Sequence, residues 1–210
     1  MLRAVVFDLD ETLISSKDAI VNFFRSLYAE LNKPFPEDLR RHLYTAPEKG
    51  LIERLFPEPE IREAARRFKE RFTVEDHIRA LTLKPYALQT VRDLAGHYQL
   101  AVATNRGDTT EPVLVHFGLR PYFEEVIHAR SLSFPKPHPV VMETIMERLG
   151  VTADETILVG DSEVDVDTGH NVRVPVILVG PEAPAGLADH YLQDLSFLPA
   201  FLDDLTVHQD

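Results

Sequence analysis

Apolar residues follow two rhythms along this chain. Short continuous runs occur at Arg3–Phe7, Leu100–Ala103, Val126–Ile127, Thr156–Val159 and Val174–Val179. Apolar runs without strict alternation predict strands buried on both faces, as in a parallel sheet. Helical periods lie between them. Leu88, Val91 and Leu94 share one face over Ala87–His97, and Val141, Ile145 and Leu149 share one over Pro139–Leu149. Strands alternating with helices predict an α/β fold with a doubly wound, Rossmann-like parallel sheet.

The stretch from about Ser15 to Leu83 breaks the alternation, and no strand is expected there. Ile20, Phe23, Phe24, Leu27, Tyr28 and Leu31 follow helical spacing, with Ser15 or Ser16 placed to cap the start and Pro34 and Pro36 to stop the helix. Ala65, Phe68 and Phe72 face one way on a second helix over Arg62–Phe72. The reading is a core of residues 1–14 and 84–210 interrupted by an all-helical insertion, residues 15–83. Neither an internal repeat nor a low-complexity segment is present.

Composition narrows the function classes. The chain has 210 residues, 44% hydrophobic and 27% charged. No apolar run approaches the roughly 20 residues needed to cross a membrane. The N-terminus lacks the pattern of a signal peptide, so a cytoplasmic protein is expected. The absence of cysteine excludes disulfides and thiolate metal ligands. A net charge of −12 argues against non-specific nucleic-acid binding. An acidic protein still binds a phosphate monoester where local cations, a metal ion and inward-pointing N–H groups offset its carboxylates.

Candidate chemistry gathers at predicted strand ends. The first strand runs into Asp8-Leu9-Asp10-Glu11-Thr12. Ligands of doubly wound sheets sit beyond the carboxyl ends of the strands. In extended chain Asp8 and Asp10 face the same way, and they repel unless a cation or a shared proton intervenes. Acids after a strand also begin turns or cap helices. The second strand ends in Thr104-Asn105 before a helix near Thr110, where a hydroxyl and N–H groups can hold phosphate oxygens or simply cap the helix. Lys136 lies between Pro135 and Pro137 on stiff backbone, as a fixed cation or an ordinary surface lysine. The fourth strand ends in Gly160-Asp161-Ser162-Glu163-Val164-Asp165. Glycine permits close backbone approach, and magnesium takes oxygen ligands of this kind. His42, His77, His116, His128 and His138 show no metal-ligand spacing.

Taken in order, Asp8-Leu9-Asp10-Glu11-Thr12, Thr104-Asn105, Lys136 and Gly160–Asp165 resemble the four motifs of the haloacid dehalogenase-like superfamily. The helical insertion resembles its small helical cap, and the chain as a whole resembles phosphoglycolate phosphatase-like hydrolases. The resemblance implies a magnesium-dependent phosphatase acting through an aspartyl-phosphate. Asp8 would be the nucleophile and Asp10 the acid that protonates the leaving oxygen and then activates water. Mg2+ would be held by Asp8, the Asp10 carbonyl and Asp161. Thr104, Asn105 and Lys136 would hold the phosphoryl group, with Lys136 also neutralising the nucleophile. Thr12 would orient the turn and Ser162 support the last motif. Asp165 would be an acid near the metal or a partner for Lys136.

Retention of Asp10 favours phosphate esters over the dehalogenase and phosphonate chemistries, which need no proton for an alkoxide. Glu11 stands where many relatives carry glycine. Lys49 and Gly50 resemble a cap loop that selects substrates, although Lys49 also reads as an exposed lysine on an interhelical turn. The expected partner is a small phosphorylated metabolite, with 2-phosphoglycolate the best single choice, rather than nucleic acid or a membrane. The expected assembly is a monomer or a homodimer. Two alternatives stand beside the phosphatase: a phosphomutase of the β-phosphoglucomutase type, and a non-catalytic binding module.

Overall fold

The computed structural model describes residues 1–45, 51–181, 183–184 and 186–207. By contact, the chain divides into two compact units, Met1–Ile14 with Leu83–Asp210, and Ser15–Thr82.

In the first unit the apolar runs form β1 (Ala4–Phe7), β4 (Gln99–Ala103), β5 (Glu125–Ile127), β6 (Thr156–Gly160) and β7 (Val176–Val179), joined at the edge by β8 (His190–Leu192). All pair in parallel, in the order β5-β4-β1-β6-β7-β8. β8 has no counterpart in the sequence reading, because three half-exposed residues at an edge carry no unbroken apolar run. The last predicted run begins at Val174, but the ladder begins two residues later, after Pro175. Phe7 sits opposite Val102 on one side and Val159 on the other. The tips of β1, β4 and β6 are therefore level. Strand order reverses around β1, which is where doubly wound sheets bind ligands.

Helices cover both faces: α6 (Ala87–Leu94), α7 (Thr110–His116), α8 (Val140–Leu149), α9 (Glu163–His170) and α10 (Leu198–Val207). α8 packs on β4 and β5, and α9 on β6 and β7. Val141, Met142, Ile145 and Val166 join Ala4, Val6, Ala101 and Leu158 in one core. Strand alternation turns Val5 and Phe7 to the opposite face, where Phe7 meets Phe123 edge to face at 6.2 Å. Predicted to reach His97, α6 stops at Leu94, whose carbonyl accepts the N–H groups of His97 and Tyr98 as the chain turns at Gly96.

The second unit holds α1 (Lys17–Glu30), α2 (Leu39–Thr45), α3 (Leu51–Leu55), α4 (Pro59–Arg71) and α5 (Val74–Arg79). Val21, Phe24, Leu27, Tyr28, Leu43 and Phe56 form its core. Ser16 occupies the N-cap of α1, but its side chain makes no capping hydrogen bond. Asn32, at φ 52, ends α1 before Pro34 does, with the Lys33 N–H returning to the Tyr28 carbonyl. The pattern predicts no strand in residues 15–83. The structure adds β2 (Ile14–Ser15) and β3 (Thr82–Leu83), two residues each, which pair with one another where the chain leaves and re-enters the first unit. Strands this short are set by each other's proximity rather than by an apolar pattern. Among the described residues, no helix is long and apolar enough to cross a membrane.

Candidate active site

Three strand tips supply the first residues of the site. Asp8 follows β1, Thr104 follows β4 and Asp161 follows β6. The Asp8 N–H donates to the Val159 carbonyl at 2.8 Å, continuing the ladder one residue past the strand. Beyond it the chain makes a tight turn, in which the Leu9 carbonyl accepts from both Leu13 and Ile14 N–H groups. This folds Thr12, fully buried, back so that its hydroxyl donates to Asp8 Oδ2 at 3.3 Å. Glu11 lies in the left-handed region at φ 64, a conformation that favours glycine. Its carboxylate reaches Lys84 Nζ at 3.4 Å.

Lys136 is buried, and its ammonium donates to Asp8 Oδ1 and Asp165 Oδ1, both at 2.6 Å. Its backbone is clamped as tightly. The Asn105 amide accepts from the Lys136 N–H at 2.8 Å and donates to the Lys136 carbonyl at 3.0 Å. Both ends of the Asn105 side chain are thus spent on Lys136. The second hydrogen of the Asn105 amide and its backbone N–H remain able to donate to a phosphoryl group. Thr104 is buried, and its hydroxyl accepts the Arg106 N–H at 3.1 Å.

Asp165 is fixed from the other side. Its Oδ2 accepts from the N–H groups of Asp161 and Ser162 at 3.2 Å and from the Ser162 hydroxyl at 2.7 Å, closing a capping box at the start of α9. Gly160 makes room for it, since a Cβ there would come within 2.3 Å of Asp165 Cγ. Asp165 is a partner to Lys136, and its carboxylate also lies in one cluster with those of Asp8 and Asp161.

Burial is the largest influence on Asp8 and pushes its carboxyl up to about 8; Lys136 pulls the other way, while Asp165 and Asp161 add to the push. Burial alone would lower the Lys136 ammonium, but Asp8 and Asp165 outweigh it and hold the lysine charged, well above its usual range.

Asp8, Asp161 and Asp165 each place a carboxylate oxygen within 4.8 Å of the others. With all three acids ionised, Lys136 would offset only one of the charges. A divalent cation would neutralise the remainder and draw Asp8 to its ionised form. The donors are all hard oxygens, which suits magnesium. Asp8 and Asp165 each have both oxygens hydrogen-bonded, but a carboxylate oxygen keeps a second lone pair, so all three acids remain able to meet a cation.

Asp10 stands apart from this cluster. Arg106 grips it with Nε on Oδ2 at 2.9 Å and Nη2 on Oδ1. The sequence reading did not single out Arg106. Its signal was its place directly after Thr104-Asn105, at a strand tip level with those that carry the acids. Lys49 and Gly50 lie outside the described residues.

The residues at these tips can be set beside known proteins. Residues 5–179 match the model of the haloacid dehalogenase-like hydrolases. The chain is 30% identical to the plasmid phosphoglycolate phosphatase of Cupriavidus necator, over 95% of this chain and 92% of that protein. It is 25% identical to the phosphorylated carbohydrates phosphatase of Thermotoga maritima, over 82% of each. Among solved structures, a HAD-superfamily hydrolase of subfamily IA from Geobacter sulfurreducens superposes with a TM-score of 0.88, at 26% identity over 96% of each chain.

Proposed function

The chain belongs to the haloacid dehalogenase-like hydrolase family and is a phosphoric monoester hydrolase, and from that premise we propose that it hydrolyses a small phosphorylated metabolite, 2-phosphoglycolate in the first instance, through an aspartyl-phosphate on Asp8 with Mg2+ bound. The observation that carries this reading is the buried contact of Lys136 with both Asp8 and Asp165, beside Asp161.

In the first step an Asp8 oxygen attacks phosphorus while the bond from phosphorus to the ester oxygen breaks. Asp10 gives its proton to that departing oxygen. In the second step Asp10 takes a proton from water, whose oxygen attacks the phosphorus of the aspartyl-phosphate. The acyl–phosphate bond breaks, releasing inorganic phosphate and restoring the Asp8 carboxylate. Lys136 carries the fixed positive charge that offsets nucleophile and phosphoryl oxygens, held in place by Asn105 and Asp165. Thr104, through its hydroxyl, and Asn105, through its N–H, orient the phosphoryl oxygens. Asp8, the Asp10 carbonyl and Asp161 would hold magnesium, which supplies charge neutralisation at the phosphoryl group when bound.

The proposed substrate rests on the relatives. One acts by name on phosphoglycolate and another on phosphorylated carbohydrates. A phosphate-release screen over small phosphorylated acids, sugars and nucleotides, with magnesium and again with chelator, tests both parts. Fastest release from 2-phosphoglycolate, abolished by chelator, is the expected result. Undiminished release in chelator would refute the magnesium role, and a clear preference for another ester would replace the substrate. A phosphoenzyme that persists in water and is discharged by a sugar phosphate would turn the reading to a phosphomutase.

A further inference from the structure

We infer that Arg106 is a positioning residue for Asp10, holding in place the carboxylate that exchanges the proton; this rests on the role given to Asp10 above. All three guanidinium nitrogens have a partner. Nε and Nη2 take the two oxygens of Asp10, and Nη1 donates to the Thr109 hydroxyl at 3.1 Å. The Arg106 side chain is only 8% exposed, whereas that of Asp10 is 31% exposed. The arginine backbone is tied as well. Its N–H donates to the Thr104 hydroxyl at 3.1 Å, and its carbonyl accepts from the Ala129 N–H at 3.0 Å. The arginine is therefore the anchored member of the pair and the aspartate the tethered one.

The chemistry needs such a tether. The same carboxyl must meet the ester oxygen in one step and a water in the next, at nearly the same point. A short side chain on a turn has rotamers that point elsewhere. A planar fork donates to both oxygens in a single orientation, which a lysine's point charge does not impose. Each Asp10 oxygen keeps a lone pair beyond its bond to the fork, so the acid can exchange a proton there while Arg106 retains it. The Arg106 guanidinium is a donor with no acceptor, and so acts through Asp10 rather than in its place.

The test uses the full-length, magnesium-loaded protein with p-nitrophenyl phosphate, whose leaving group needs no proton, and with 2-phosphoglycolate or glycerol phosphate, whose leaving groups do. Arg106→Gln and Arg106→Lys, each checked for an unchanged circular-dichroism spectrum, should lower kcat on the alkyl esters by about 10- to 100-fold with KM changed less than threefold. The nitrophenol burst should persist while its steady state slows, and Arg106→Lys should recover only part of the loss. In an Asp10→Asn background, Arg106→Gln should leave the burst rate unchanged. A raised KM with kcat intact would overturn the inference in favour of direct substrate binding, as would a burst slowed further in the double variant. Wild-type turnover by Asp10→Asn alone would instead remove the role of Asp10, and the inference with it. Full loss in Asp10→Asn beside normal turnover in both Arg106 variants would overturn only the inference.

Discussion

Asp8 and Asp10 lie two residues apart on one turn, yet their surroundings differ in kind. Asp8 is closed in among Lys136, Asp165 and Asp161, and its carboxyl is pushed up to about 8 by burial. Asp10 is partly exposed and is held by Arg106 from the next strand tip. The difference teaches how one short motif serves two chemical duties. The buried acid is shaped by charge: a cation relieves its repulsion with the neighbouring acids, and the cation and Lys136 together then offset the charge that a phosphoryl group brings. The partly exposed acid is shaped by geometry, because a group that meets water and substrate in turn needs access first.

Replacing the inner acid should have the greatest effect. Asp8→Asn is expected to cut turnover by at least about 10³-fold, whereas removing a residue that only orients leaves measurable activity. Single-turnover phosphate release with a folded protein checks this; near-normal turnover would end the division between the two acids.

Lys136→Met tests the electrical half. It leaves Asp8 and Asp165 facing each other in a buried site, and the expected cost is about 3 kcal/mol or more in chelator. Thermal melting should show a drop of roughly 6–12 °C. A melt like that of wild type would mean that water already reaches the cluster.

A pH series separates burial from pairing. The folded protein keeps the Asp8 proton up to about 8, while the unfolded chain releases it near 3.8. Between those values the folded state binds more protons, so the contribution of this group to stability falls as pH rises, and it levels off above about 8. In chelator the wild type should therefore lose stability relative to Asp8→Asn across that window, and magnesium should shrink the difference. Parallel curves would show that Lys136 already holds Asp8 ionised.

The smallest effect belongs to the turn between the two acids. Glu11→Gly relieves a left-handed backbone but gives up the partly buried pair with Lys84. These oppose each other, and a net change within about 1 kcal/mol is expected by denaturant melting. A larger loss would make the Lys84 contact the dominant partner of this turn.

Much of this was legible along the chain because its signals are local. Continuous apolar runs mark strands buried on both faces, and Asp8, Thr104 and Asp161 each follow such a run directly. A buried strand shows its end wherever the apolar run stops. The edge strand β8 and the paired β2 and β3 were silent, since they are too short to carry a period. The family resemblance marks position 11 as one where many relatives carry glycine, but the φ of 64 found there is a property of the folded turn.

By itself the sequence determined the alternation of strands and helices, the acids at the strand ends and the family to which they point. Those features depend on neighbours in the chain and on a period of two or 3.6 residues. Only the tertiary structure decided which partner each side chain takes. Asp165 turns to Lys136, Asn105 spends its amide on the Lys136 backbone, and Arg106 takes Asp10 across 96 positions. Hydrogen bonds of that range are fixed by strand order and register, which bring distant residues level only once the sheet has formed.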